Sequence, residues 1–323
     1  MTYPDNSVLV ACELPPTGEV PGFLAELCGA ASAIGTPVVL LIASTEVNQE
    51  TTDAVAQAGA EYIAVVEVDK PSLGAAIDAV EKAAGEVSPV ATLCLADADG
   101  SDLAGRASVR LKQALLVDVT GIDQDDEGII AYHSVLGGSY RVTSAATFGS
   151  PVITVRRGAV DQRAEAGAGH VMKIDLAANT HVAEITDSSV IEQTSTRPAL
   201  ISAKTVVSGG RAFGSKEGFE IVEKLADVLG AGVGASRAAV DAGYVDHAAQ
   251  VGQTGVSIQP DVYFALGISG AMQHLAGMQT SKHIIAVNKD AEAPIFEISD
   301  FGVVGDIFDV IPQLTTLLEQ RKG

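Results

Sequence analysis

Short unbroken apolar runs alternate with stretches of helical period through the first half of the chain. Residues 8–11, 37–43, 62–66 and 90–96 have the length and composition of buried strands. Between them, 21–34, 51–58 and 73–84 carry apolar positions at helical spacing and are rich in strong helix formers. Strands buried on both faces and joined through helices belong in a parallel α/β sheet covered on both sides. After the fourth strand, 98–102 should form a loop leading into a helix over 103–115. From Asp118 the texture changes. The runs at 129–134, 138–147, 152–156 and 170–183 are separated by turn residues, among them Gly137-Gly138 and Phe148-Gly149-Ser150-Pro151. They read as short strands added to the first domain.

Residues 187–198 are polar with little periodicity and read as a linker, which divides the chain into domains of 1–190 and 191–323. The α/β pattern then resumes. A strand at 205–207 precedes a helix over 216–229 whose apolar face carries Phe219, Val222, Leu225 and Leu229. A glycine-interrupted strand at 231–235, a helical turn at 238–242 and a glycine-rich loop at 250–255 follow. The stretch 262–290 is the most regular: strand 262–266, the turn Gly267-Ile268-Ser269-Gly270, helix 271–276, and strand 283–287 ending at Asn288-Lys289-Asp290. Its two glycines permit a tight turn and close approach to the backbone. Ser269 is placed to cap the helix and Gly277 to end it. A last helix, 306–319, should break at Pro312. The second domain therefore reads as a Rossmann- or flavodoxin-like sheet.

Composition narrows the function. Hydrophobic residues are 47 % and charged residues 19 %, enough for a core in each domain. Aromatics are only 4 % and Trp is absent, so stacking on single-stranded nucleic acid is disfavoured. Lys+Arg total 20 against Asp+Glu 41, a net charge of -21, which argues against nucleic acid or an anionic membrane as partner. Cys12, Cys28 and Cys94 are widely separated, and Cys12 and Cys94 lie in apolar runs, as buried free thiols do. No CxxC or paired His/Cys spacing points to a metal. The stretch MTYPDNSVLVACE has neither a basic region nor a long apolar core, and no run reaches about 18 apolar residues. A cytoplasmic protein without membrane insertion is expected.

Three clusters share one position in this pattern. Gly209 to Arg211, Ser236 with Arg237, and Gly267 to His274 each follow a strand's carboxyl end, as Asn288 does. In a parallel sheet those ends lie along one edge, where nucleotide ligands bind with phosphate at a helix amino terminus. Glycine N–H groups and arginines suit a pyrophosphate, and hydroxyl and amide side chains suit the rest of a dinucleotide. The comparable loop at 97–102 is crowded by Asp97, Asp99 and Asp102 and lacks a phosphate-binding lysine, so it reads as structural.

The strings SGGR, GASRAAVDAG, QVGQTG, GISGAMQHLAGM and VNKDAEAPIF, in this order, closely resemble the signature of electron-transfer flavoprotein alpha subunits. The match is strongest from Ala203 to Leu318 and continues more loosely through SDLAGRASVRL, DVTGI and VITVRRGA. The resemblance implies FAD held mainly by the second domain, in a heterodimer whose beta subunit carries AMP and leaves the first domain without a nucleotide. Residue by residue it places FAD contacts on Arg211, Ser236, Arg237, Val251, Gly252, Gln253, Thr254, Ser269, Gly270, Ala271, Met272, Gln273, His274, Asn288 and Asp306. Within that set, Thr254 could bond flavin N5 and Arg237 could lie over the isoalloxazine. His274 could donate to the pyrimidine-side oxygen, and Ser269 suits the pyrophosphate. Asn288 and Asp306 suit the adenosine side.

Plainer roles stand beside these. His274 could be a satisfied core histidine, Arg237 could pair with Asp241, Arg211 could be a surface charge, and Asp306 a helix amino-terminal carboxylate. His133, His170, His181, His247 and His283 read as structural. The sequence also departs from the family pattern: Ala212-Phe213 follows Arg211, Asp246-His247 precedes the glycine loop, and Val256 stands where a lysine is frequent. The function implied is electron carriage from flavin dehydrogenases, such as acyl-CoA dehydrogenases, towards a membrane quinone oxidoreductase, without a substrate-converting site. A non-redox nucleotide-binding module is the alternative. An NAD-dependent dehydrogenase is disfavoured, because no GxGxxG with an acidic ribose partner follows a strand.

Overall fold

The computed structural model describes residues 2–69, 72–136, 138, 140–176 and 196–322. Two compact units divide the chain: Met1–Val135 with Tyr140–Val190, and Ile191–Gly323 with Leu136–Ser139. Residues 177–183 of the expected run from 170, and 187–195 of the expected linker, lie outside the described residues.

The first unit opens with β1 (Ser7–Glu13), α1 (Leu24–Ser32), β2 (Thr36–Ala43), α2 (Gln49–Gln57), β3 (Tyr62–Glu67), α3 (Leu73–Val87), β4 (Ala91–Leu95) and α4 (Ala98–Leu111). It continues with β5 (Leu115–Asp125), β6 (Gly128–Val135), β7 (Tyr140–Ala145), β8 (Val152–Val155) and β9 (His170–Lys173). Its sheet has the order β7-β6-β5-β8-β4-β1-β2-β3-β9. Only the β5-β6-β7 edge is antiparallel.

Side-chain alternation explains why the central strands β1 to β4 are apolar along most of their length. Val8, Val10 and Cys12 of β1 pack with Leu24 and Leu27 of α1. Leu9 and Ala11, between them, pack on the other face with Ala76 and Val80 of α3 and Leu103 of α4.

Two expectations need correction here. Residues 98–102 are helix, not loop: Asp97 accepts the Gly100 N–H at 2.8 Å and caps α4. The helix also ends earlier than 115. It closes at Lys112 in the left-handed region, φ 56°, which frees Leu115 to start β5. That strand escaped a reading of apolar runs because exposed Asp118, Asp123, Gln124 and Asp125 interrupt its apolar pattern.

The second unit carries β10 (Thr205–Gly209), α5 (Lys216–Leu229), β11 (Gly232–Ala235), α6 (Arg237–Asp241), β12 (Val262–Leu266), α7 (Met272–Leu275), β13 (His283–Asn288), β14 (Phe301–Val304) and α8 (Ile307–Lys322). Every pair in its sheet is parallel, in the order β11-β10-β12-β13-β14. Renumbered within the unit this is 2-1-3-4-5, the flavodoxin-like winding, so the α/β reading of this half holds.

Helix α5 forms where its periodicity placed it. Ser215 caps it by accepting from Gly218 N–H at 3.1 Å, Gly230 closes it at φ 63°, and Phe219, Val222, Leu225 and Ala226 are buried. Helix α8 runs through Pro312 instead of breaking. Pro312 is exposed while Ile307 and Ile311 are buried against the core, so packing outweighs one missing hydrogen bond. Among the described residues no helix is long and apolar enough to cross a membrane.

Candidate functional site

The carboxyl ends of β10, β11, β12 and β13 meet around a cleft of about 620 Å³. The turns that frame it pack backbone on backbone, and glycine is required for that. A Cβ on Gly210 would lie 2.0 Å from the Gly267 carbonyl oxygen, and Gly267 itself adopts φ 61°. Gly210 N–H donates to Leu266 O, and Gly267 N–H to Val287 O. The loop after β11 is tied down in turn, with Val251 N–H bonded to Ala235 O and Gln253 N–H to Gln273 O.

Of the residues expected at the site, Arg211, Ser236, Arg237, Val251, Gly252, Thr254, Ser269, Ala271, Gln273, His274 and Asn288 line the cleft. Gln253, Gly270, Met272 and Asp306 do not. Gly270 is buried beneath the turn at φ 87°, against the backbone of Ile295. Asp306 accepts the Phe308 N–H at 2.8 Å and heads α8, its plainer role.

Ser269 does not cap α7. That helix is a single turn starting after Ala271, with no side-chain cap, and Ser269 is exposed. An anion here would therefore be met by turn N–H groups more than by a helix dipole. Gly277 follows the helix as expected, for a packing reason: a Cβ there would lie 2.4 Å from Gly252 N.

Side-chain hydrogen bonds pre-set several groups. Gln250, buried, donates from Nε2 to Thr254 Oγ1 at 3.0 Å, which leaves the Thr254 hydroxyl proton free to be donated elsewhere. Asn288 is committed within the protein, donating to Ile268 O at 2.9 Å and accepting from Asp290 N–H at 3.0 Å. Ser236 accepts from Ala239 N–H at 3.3 Å as the cap of α6. Arg237 pairs with Asp241. Arg211 and Lys289 also line the cleft and add cationic character to it in a chain of net charge -21.

His274 is 6 % exposed, and its Nε2 lies 2.9 Å from the hydroxyl of fully buried Tyr263. Its Nδ1 is buried without a hydrogen-bond partner. Burial pushes the imidazole down to about 4, opposed by the nearby Val251 carbonyl, so the ring is neutral at physiological pH.

Gln250 and Lys289, which line the cleft, were missed in the sequence, as was Tyr263 behind His274. Tyr263 alone left a signal: a phenol inside the run VYFAL needs a partner for its hydroxyl, where Phe would not.

The comparisons with known proteins agree with this architecture. Residues 8–179 match the electron transfer flavoprotein domain, and 199–279 match the electron transfer flavoprotein FAD-binding domain. The chain is 46 % identical over 302 residues to the electron transfer flavoprotein subunit alpha of Mycobacterium leprae, covering 93 % of this chain and 94 % of that protein. It is 47 % identical over the same length and shares to the Mycobacterium tuberculosis (strain CDC 1551 / Oshkosh) subunit. Identity to the Paracoccus denitrificans subunit is 46 % over 235 residues, 72 % of this chain and 73 % of that one. With a flavodoxin-like second unit whose cleft falls within the FAD-binding match and just beyond it, the chain belongs to the electron transfer flavoprotein alpha-subunit family.

Proposed function

We propose that the cleft of the second unit holds FAD and that the chain serves as the alpha half of an electron carrier, without converting a substrate of its own. One observation carries the reading. A buried histidine with an unpartnered Nδ1, a threonine hydroxyl with its acceptor side already occupied, and the cations Arg211, Arg237 and Lys289 converge on one cleft. Orphaned buried polar atoms are costly unless a ligand or water meets them, and cations suit the phosphates of a dinucleotide. When bound, FAD supplies one-electron redox chemistry that no amino-acid side chain in the cleft offers.

The chain's own residues then bind and orient. Arg211, Ser269 and the N–H groups of its turn receive the anionic portion. Thr254 presents a hydroxyl proton, and Arg237 contributes a guanidinium at the rim. Ser236, Val251, Gly252, Ala271 and Gln273 shape the walls, Gly270 packs beneath the turn, Gln253 ties its loop to Gln273 through the backbone, and Met272 lies exposed beside the cleft. Asn288 and Asp306 act mainly by holding the turn and heading α8 at the sheet edge.

Family membership supports a wider reading. A beta subunit carrying AMP completes a heterodimer. Electrons arrive from flavin dehydrogenases, such as acyl-CoA dehydrogenases of fatty acid β-oxidation, and leave towards a membrane quinone oxidoreductase. The setting is the cytoplasm. The first domain, residues 1–190, binds no nucleotide: Glu13 ends β1, Asp97 follows the adjacent β4, and phosphate would be repelled there.

The test is co-purification with the beta subunit followed by visible spectroscopy and extraction of the bound cofactor. Flavin bands and released FAD at one per heterodimer are expected. A colourless complex, or one holding only a non-redox nucleotide, would overturn the reading.

A further inference from the structure

We propose that Tyr263 is a positioning residue for His274: its hydroxyl donates to Nε2, keeps the single ring proton on Nδ1, and so makes His274 a hydrogen-bond donor to whatever fills the cleft. The last step rests on the reading that the cleft holds a cofactor; the tautomer does not.

The two rings can share the 2.9 Å contact in two ways, and the acidity of the groups together with their surroundings selects one. A phenol is the most acidic neutral hydroxyl in a protein and an imidazole nitrogen is a strong neutral acceptor, so the favoured sense is O–H to Nε2. Ser208, on the adjacent strand β10, lies on the same side of the sheet as Tyr263. Its buried hydroxyl has no hydrogen-bond partner, so the Tyr263 proton is not spent there. On the imidazole, Nε2 is taken by Tyr263 while Nδ1 is buried without a hydrogen-bond partner, so Nδ1 is the atom left to meet a group in the cleft.

Burial keeps both groups neutral, raising the phenol and lowering the imidazole. With Nε2 occupied, His274 cannot become an acceptor towards a ligand without breaking its bond to Tyr263. The cleft then favours a carbonyl or anionic oxygen at this position over an N–H.

The experiment is nitrogen-15 NMR of ring-labelled histidine in the full chain, with and without FAD and the beta subunit. Six histidines are present, and His274 is assigned by its absence in His274→Gln. The expected wild-type signature is a protonated Nδ1 and a bare, hydrogen-bonded Nε2, unchanged across a buffer series spanning about one unit either side of neutral pH. In Tyr263→Phe the proton should redistribute between the nitrogens, and the Kd for FAD should rise about tenfold.

A wild-type His274 protonated at Nε2 overturns the proposal even if Tyr263→Phe fails to fold. An unchanged tautomer in a folded Tyr263→Phe overturns it as well. The expected tautomer without any FAD binding would support the Tyr263 assignment and overturn the cofactor reading instead.

Discussion

Nε of Arg237 lies 3.4 Å from Oδ2 of Asp241, one turn further along α6, and both side chains line the cleft. The two side chains are 68 % and 65 % exposed, so their attraction contributes no more than about 0.5 kcal/mol to folding. Its larger consequence is electrostatic, because Asp241 offsets part of the positive field that Arg237 would project on a bound flavin. A bare charge about 4 Å away at an effective dielectric of ~20 acts with ~4 kcal/mol. Solvent exposure and the carboxylate reduce this to about 1 kcal/mol. At ~59 mV per ~1.4 kcal/mol, Arg237→Ala should lower the first reduction potential by roughly 40 mV. Asp241→Asn should raise it, and Arg237→Lys should recover only part of the loss. Potentiometry in which neither variant moves the potential would remove this pair from the flavin site.

Ser269 and Gly270 are neighbours in sequence with different expected phenotypes. Ser269 is exposed in the cleft, so Ser269→Ala should leave stability within about 0.5 kcal/mol and weaken FAD binding several-fold. At Gly270 a Cβ would lie 2.4 Å from Ile295 N, and φ is 87°. Gly270→Val should therefore lower the melting temperature of the apoprotein itself, by more than any loss at Ser269. Equal melting temperatures for the two variants would contradict the packing described for this turn.

A second glycine contact positions the loop after β11. Gly277→Ala would place its Cβ 2.4 Å from Gly252 N and 2.5 Å from Gly252 Cα, between α7 and the loop that carries Thr254. We expect a cost of about 2 kcal/mol together with weaker FAD retention. Gly85, inside α3, has open space where a Cβ would sit, and Gly85→Ala should stabilise by ~0.5–1 kcal/mol. Denaturant titration of both variants checks the sign of each change.

The neutral burial of His274 gives stability a defined pH dependence. Its folded value of about 4 lies below the ordinary 6.5, so the folded state binds this proton more weakly than the unfolded chain does. The contribution is fully present above about pH 6.5 and is lost as pH falls through about 4, on the order of 3 kcal/mol in all. Carboxylates titrate over part of the same range, so the comparison must be differential. Between about pH 8 and about pH 4 the wild type should lose more stability than His274→Gln. Parallel losses in the two proteins would mean that the imidazole is not held neutral by burial.

Local pattern was enough for the elements whose burial and periodicity agree. Helix α5 shows its cap, its apolar stripe and its closing glycine in order, and β12 is an apolar run bounded by a glycine turn; each is specified by neighbours in sequence. Alternating apolar and helical segments likewise sufficed for two parallel α/β halves. Strands β5 and β14 were not legible in that way: β14 is a short, exposed edge strand, β5 carries exposed Asp and Gln residues, and pairing with β13 in the one case and with β6 and β8 in the other makes them strands. The convergence of clusters on one edge could be read from their position after successive strands. What each side chain does there could not. Whether Asn288 is free or already bonded to Ile268, and which nitrogen of His274 is occupied by Tyr263, depend on groups brought together from separate segments, whereas Asp306 heading α8 is a local contact with Phe308 that the sequence offered but could not choose. Spacing along the sequence carries no record of a hydrogen bond made across the sheet, so the roles of Asn288 and His274 exist only once the strands have been laid side by side.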